Sequence, residues 1–556
     1  MKIGATKLPV NLMYSMTDFG TFSKIFPMRN LLVLFAMLSC LAGWSQLPTY
    51  GGKLKPEQAI MDIRHYTISL AVDIPAKSIA GYTIIDLITS EPTQKLLFDL
   101  MDDYTVSGVW VNGKTASFDH KNHYLVVNAA EMLPAGKLSV KVQYSGKPHV
   151  AVRPPWEDGF TWTTDSLGHP WVAITAEGTG GKIYFPCKDH PSDEPDEGVD
   201  MYITVPNNLV VAGPGLLQKV TKKSGKATYH WKTNYTINNY SIVFNIGDYR
   251  LVSKTYTTIA GNNVPMDFYV LKYHAGKALH HLALLAEMTR VKEKYFGEYP
   301  WVKEKIGIVE TPHLGMEHQT MNAYGNHFNY TSVGGQDFDW LMNHEFGHEW
   351  WGNKVTAKDW ADYWIHEGID SYGDALYLKE KEGEQSYIDH FKQSVFGISN
   401  EKPIVQGKDI DEETAYIGDI YSKGAFFMHT LRYVIGDSVF FPALKQLSTD
   451  PAYTYDHLIN TDDVEALFSK KSGMDVKPLF DFYLRTTQKL DIHIREINPG
   501  QYKIWLGNID ISLPVSFVTD KGAQQVMLNK NGVIVLSKET PLVDPDQYYL
   551  KRVIIE

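Results

Sequence analysis

Residues 337–377 read DFDWLMNHEFGHEWWGNKVTAKDWADYWIHEGIDSYGDALY, and within them lies His344-Glu345-Phe346-Gly347-His348. Residues four apart on a helix share a face, with Cβ atoms about 5–6 Å apart. Two imidazoles so spaced reach one tetrahedral cation, and the glutamate between them leans toward the remaining coordination position. The helical context is present: Gly334-Gly335 precede the run, Asp337 is placed to cap it and Gly352-Asn353 to close it. With 20 His and 26 Glu in 556 residues, a chance HExxH is expected about 0.03 times. The motif alone therefore leaves room for two histidines merely packed in a helix. Glu367 narrows the choice. It follows His348 after eighteen residues, inside a second helical run that aims its carboxylate at the same cation, and requiring it lowers the chance expectation to about 0.002.

Two imidazoles and one carboxylate leave a fourth position open for water, as catalytic rather than structural zinc sites do. A protein-bound zinc ion lowers the pKa of that water to about 7. One zinc ion per chain is expected, held by His344, His348 and Glu367. Glu345 is the candidate general base, taking the water's proton and passing it to a leaving amine. Asp374, seven residues after Glu367 on the same helical face, is placed to orient a ligand histidine through its free ring N–H, although a surface acid would fit that position equally well.

Composition bounds the rest. A chain of 556 residues exceeds the roughly 250–300 residues at which single cores stop growing, so two to four domains are expected. At 44% hydrophobic, 13% aromatic and 21% charged, the chain is not largely disordered, collagen-like or coiled coil. A formal charge of −11, from 53 basic against 64 acidic side chains, argues against nucleic-acid partners. Cys40 and Cys187 are the two cysteines, which excludes a disulfide scaffold and a cysteine zinc cluster.

Residues 31–44, LLVLFAMLSCLAGW, are too short for a stable membrane span of about 20 residues but fit the apolar region of a secretory signal, with a cut before Gln46. Export to a periplasmic or extracellular location is expected. Met37-Leu38-Ser39-Cys40 loosely resembles a lipid-attachment box, so anchoring through Cys40 is the alternative. Residues before Met28 carry no second apolar run and read as an over-extended start.

Beyond the leader at 1–45, residues 46–255 alternate in short β runs such as HYTISLAVDI, GYTIIDLIT and LSVKVQYS, separated by turns like Asn112-Gly113. An antiparallel sandwich or saddle is expected there. Helical periodicity, as in ALHHLALLAEMTRVKEKYF, dominates 256–485, and strands return over 486–556 as a small β-sandwich. The fold class is multidomain α+β.

HEFGH, eighteen residues and Glu367, flanked by EWWGN and WADYWIHEG, resembles the zinc aminopeptidases of the aminopeptidase N and leukotriene hydrolase type. Leu314-Gly315-Met316-Glu317-His318 is similar to the family's exopeptidase strand, GAMEN. Tyr421-Ser422-Lys423-Gly424 resembles its catalytic-tyrosine segment, and Phe185-Pro186-Cys187-Lys188-Asp189 a phrase of its N-terminal domain. The likeness spans about residues 57–556. It implies a thermolysin-like α/β catalytic domain between the two β domains, and substrates that are peptides with a free N-terminal amine. It further implies that Glu317 holds the α-ammonium, since an ammonium taken out of water needs an anionic partner. Glu177 becomes the second amine-binding residue, Gly315 and Met316 pair with the substrate backbone by edge addition, and Tyr421 donates its phenol to the developing oxyanion.

Leu314 and His318 depart from the family pattern, and His318 is expected as a neutral substitute for asparagine. About 70 residues of β-type sequence follow position 485, where many relatives carry a long helical domain, so a short form with a more open cleft is expected. An epoxide hydrolase, a thermolysin-like endopeptidase and a non-catalytic scaffold are the competing readings. Glu317 argues against the endopeptidase, and the intact set of His344, Glu345, His348, Glu367 and Tyr421 against the scaffold. Nothing in the sequence sets the oligomeric state.

Overall fold

Alternation of apolar and polar residues in HYTISLAVDI builds the strand Met61–Asp73, whose Tyr66, Ile68, Leu70 and Val72 turn inward. The computed structural model describes residues 48–556; the apolar run 31–44, Cys40 and the cut before Gln46 lie outside the described residues. Met61–Asp73 sits inside a ten-stranded sheet that runs from Leu216–Lys223 at one edge to Thr93–Asp99 at the other. Asn112-Gly113, with φ of 49° and 78°, closes the hairpin between Tyr104–Val111 and Lys114–Lys121, as the twist of a two-residue turn requires. The sheet is antiparallel except where Met61–Asp73 meets Val199–Pro206 in parallel, Tyr66 opposite Val199. That pairing joins segments more than a hundred residues apart, and local alternation carries no information about it.

A five-stranded mixed sheet follows, ordered Tyr249–Thr257, Asn263–Leu271, Ile306–Glu310, Asn322–Tyr324, Gly315–Met316. Gly315–Met316 is its edge and pairs only with Asn322–Tyr324. Ala275–Phe296 and the motif helix Trp340–Gly347 pack beside it, the carboxylate helix Trp364–Glu382 packs on both of them, and the tyrosine helix Asp419–Ile435 packs on the carboxylate helix. Two further sheets, of four and three strands, lie within residues 490–555. Residues 49–556 form one compact unit. Among the described residues no helix is long and apolar enough to cross a membrane.

The tryptophans around the motif are core. Trp350, Trp351, Trp360 and Trp364 are fully buried, and Trp351 meets Phe296 edge-on with centroids 5.2 Å apart. Rings of this size dominate the packing of a core, so the motif helix is wedged by its own neighbours in sequence. The carboxylate and tyrosine helices cross where Gly368 faces Gly424; a Cβ on Gly368 would lie 2.7 Å from the Gly424 Cα. This backbone contact draws the first turns of both helices together.

Two details differ from the sequence reading. The motif helix is capped by Asp339, not Asp337, which lies in the short strand Gln336–Phe338. The helix also closes at Gly347, well before Gly352-Asn353. His348 keeps right-handed helical angles as its C-cap, so its relation to His344 survives. Asp339 is fully buried and accepts from the Met342 amide at 3.1 Å, the Tyr324 hydroxyl at 2.6 Å and the Asn326 amide group at 3.0 Å. Asp337 reaches only His280 on the surface. Asp339→Ala removes a cap worth about 1 kcal/mol and strands two buried donors at about 1–3 kcal/mol each. Urea unfolding should show a loss of at least about 2 kcal/mol for Asp339→Ala, and a change within about 0.5 kcal/mol for Asp337→Ala.

Candidate active site

The motif helix delivers His344 and His348 to one side of a cavity of about 830 Å³, and the carboxylate helix brings Glu367 to meet them. Glu367 Oε2 lies 3.6 Å from His344 Nε2 and 3.4 Å from His348 Nε2. Such separations are close to those of ligands about 2.0–2.2 Å from one tetrahedral centre. The far sides of both rings are already engaged. His344 Nδ1 donates to Asp374 Oδ2 at 2.9 Å, and His348 Nδ1 to the Trp351 carbonyl at 2.8 Å. Both Nε2 atoms are thereby freed for a cation. Glu367 Oε2 is buried without a hydrogen-bond partner, the state expected of a ligand oxygen. The donor set fits a metal ion. His366, next to Glu367 in sequence, is not part of it: its Nε2 accepts from the Ala357 amide at 2.8 Å, and burial pushes it down to about 3.

Glu345 and Glu317 face the same cavity. Gly315 lies against the motif helix, where a Cβ would come within 2.7 Å of Glu345 Oε1. Met316 ends the edge strand and Glu317 follows it. A buried hub on the motif segment pins this strand. Glu349 accepts from Trp301 Nε1 at 2.6 Å and the Thr320 amide at 2.9 Å, while Asn353 donates to the Glu317 carbonyl at 2.8 Å. Glu177 enters from the N-terminal β region, and Tyr421 from the first turn of the tyrosine helix, its ring 6.0 Å from that of His344. All ten residues singled out from the sequence thus line or abut one cavity. His318 is fully buried, and burial pushes its imidazole down to about 3, so the ring is neutral.

Charge is the dominant feature. Burial pushes the Glu345 carboxyl up to about 8, with His344 and His348 opposing the rise and Glu317 and Glu367 adding to it. Burial, then the charges of Glu317 and Glu367, hold Glu177 well above the usual carboxylate range. Burial works against charge on His348, yet Glu367 and Asp370 lift it to about 10. A site with this surplus of negative charge favours a cation of any kind, whether a proton, a metal ion or an ammonium group.

Tyr416 was not readable from sequence. Its hydroxyl contacts that of Tyr421 and lies 3.4 Å from Glu367 Oε1 and 3.5 Å from Glu177 Oε2. It belongs to the loop before the tyrosine helix, and no spacing rule links it to the motif. Glu349 was equally hidden, as one more acid beside the second histidine.

Residues 282–483 of the chain match the Peptidase family M1 domain. Among curated proteins it is similar to aminopeptidase M1-B of Oryza sativa subsp. japonica, 21% identical over 469 residues, covering 79% of this chain and 52% of that protein. Leukotriene A-4 hydrolase of Xenopus laevis is 23% identical over 410 residues, covering 67% and 63%. The chain thus spans about half to two thirds of the length of these curated relatives. Among solved structures, the M1 zinc metallopeptidase from Deinococcus radiodurans aligns with a TM-score of 0.62 at 22% identity, over 77% of this chain and 92% of that one. An E323A mutant of the Deinococcus enzyme, bound to a Tyr-Ser-Ala substrate, aligns with a TM-score of 0.64 at 22% identity, over 76% and 94%.

Asp374→Asn keeps the shape at His344 but removes the carboxylate behind its ring. Divalent-metal affinity, read by chelator competition, should fall about ten-fold or more with little change in far-ultraviolet circular dichroism.

Proposed function

We propose that this protein is a zinc-dependent aminopeptidase that hydrolyses the N-terminal peptide bond of peptides. The observation that carries the reading is the juxtaposition of Glu317, the residue that follows the edge strand Gly315–Met316 and lines the cavity, with the His344–His348–Glu367 cluster. The names of the relatives and structural neighbours support zinc as the ion. His344, His348 and Glu367 would hold it, and when bound it supplies a Lewis acid that polarises the scissile carbonyl and makes water acidic at neutral pH.

The chain's own groups do the rest. Glu317 and Glu177 receive the α-ammonium, whose positive charge relieves their mutual repulsion. Fixing that ammonium places the first peptide bond, and no later one, beside Glu345. The substrate backbone adds to the free edge of Gly315–Met316. Glu345, as carboxylate, takes the proton of the attacking water and returns it to the departing amine. Its raised affinity for a proton, a consequence of burial, suits a group that must hold one between the two steps. Tyr421 donates its hydroxyl to the developing oxyanion, and Tyr416, in contact with that hydroxyl, fixes its direction.

Purified chain should contain one zinc ion and hydrolyse an aminoacyl anilide, while the same substrate acetylated at its amine is left intact. Cleavage of the acetylated substrate would refute the exopeptidase reading. Glu345→Gln should lower kcat by about 10³-fold while zinc content stays at one. Glu317→Ala should lower kcat/KM for short free-amine substrates by roughly 10²-fold, as loss of a desolvated charge pair does.

A further inference from the structure

The carboxylate helix presents three acids on one face, Glu367, Asp370 and Asp374, at positions i, i+3 and i+7. Asp370 is fully buried. Its Oδ2 lies 3.3 Å from His344 Nδ1, behind that ring, and 3.9 Å from His348 Nε2. Neither of its oxygens has a hydrogen-bond partner. The opposing charge is Lys292, on helix Ala275–Phe296, whose Nζ lies 3.7 Å from Asp370 Oδ1 and is itself buried without an acceptor. Lys292 falls four residues after the buried Met288 and four before the buried Phe296, on a stripe where the pattern calls for an apolar side chain. Gly347, inside the motif, makes the space: a Cβ there would overlap both the Asp370 carboxylate and the Lys292 ammonium.

Three helices thus meet through an ion pair that occupies the place of a methyl group. As a packing device this is a poor choice. Desolvating two charges costs several kcal/mol, and apolar residues of similar volume commonly do as well or better. Its position behind the His344 imidazole supplies a reason. A carboxylate that accepts a ligand histidine's ring N–H raises the basicity of the other ring nitrogen and fixes the ring's orientation. Asp374 does this from a site whose side chain is 29% exposed; Asp370 stands 3.3 Å from the same nitrogen in a dry one, where its field is little screened.

We propose that Asp370 is a second positioning carboxylate of the metal centre, sharing with Asp374 the Nδ1 proton of His344, with Lys292 as its fixed counter-charge and Gly347 as the opening that admits both. The inference rests on the metal reading of the proposed function. A second cation among His344, Asp370 and Asp374, whose ligand atoms lie within 4.8 Å of one another, is the rival use of the same atoms. The Lys292 ammonium already fills that role.

The test replaces the pair by methyl groups in the triple variant Gly347→Ala, Lys292→Met, Asp370→Ala, and measures zinc affinity by chelator competition together with the visible spectrum of the cobalt-substituted protein. The triple variant should melt at or above the wild-type temperature and yet bind zinc about ten-fold more weakly, with a displaced cobalt band. Wild-type affinity and an unchanged band would reduce the pair to helix packing and overturn the proposal. Two zinc ions per wild-type chain would overturn it in favour of the rival. Asp370→Asn, which keeps the side chain's shape, carries the same test should the triple variant not fold: an unchanged affinity contradicts the proposal, and a loss of about ten-fold supports it. A wild-type chain that binds no zinc would remove the underlying metal reading, a result distinct from any difference between variants.

Discussion

Glu367 Oε2, facing two imidazole nitrogens at 3.4 and 3.6 Å, is the contact on which the rest of the site depends. Three segments are held so that these atoms converge. The Asp339 cap starts the motif helix at the residue that sends His344 inward. The tryptophans that follow bury its far end. The glycine crossing at Gly368 and Gly424 draws the tyrosine helix against the carboxylate helix, so that Tyr416 and Tyr421 reach the same cavity. Loss of any one of these would leave its side chains intact but pointing at nothing.

Electrostatics then gives the arrangement direction. Glu177, Glu317, Glu345 and Glu367 lie close enough that burial and mutual repulsion raise the first three. Such an assembly is costly unless cations enter it. A dication at the His-His-Glu end and an ammonium at the Glu317–Glu177 end would share the burden. On the proposed reading, the distance between those two ends would select the terminal bond of a peptide. On the same reading one source of charge would serve binding and catalysis alike, and among the described residues no lysine or arginine lines the cavity.

What could be read from the sequence follows how local each relation is. The His344–His348 relation needs only helical geometry, and Asp374 follows Glu367 by two turns of one helix. Alternation in HYTISLAVDI marked its strand for the same reason. Asp337 and Asp339 could not be told apart as caps, because both precede the apolar run and only the hairpin Thr331–Val333 with Gln336–Phe338 decides where the strand ends. Tyr416, Lys292 and the parallel pairing of Met61–Asp73 with Val199–Pro206 join parts of the chain that only the folded core brings together. Asp370 is the instructive case. Its spacing was visible between Glu367 and Asp374, but its meaning comes from Gly347 and Lys292, on two other helices.

The most direct test of the central claim is anomalous X-ray scattering at the zinc absorption edge from crystals of the purified chain. The account expects one strong peak per chain, about 2.0–2.2 Å from His344 Nε2, His348 Nε2 and Glu367 Oε2. An edge signal located elsewhere, or none between these three side chains in protein shown to contain zinc, would contradict it.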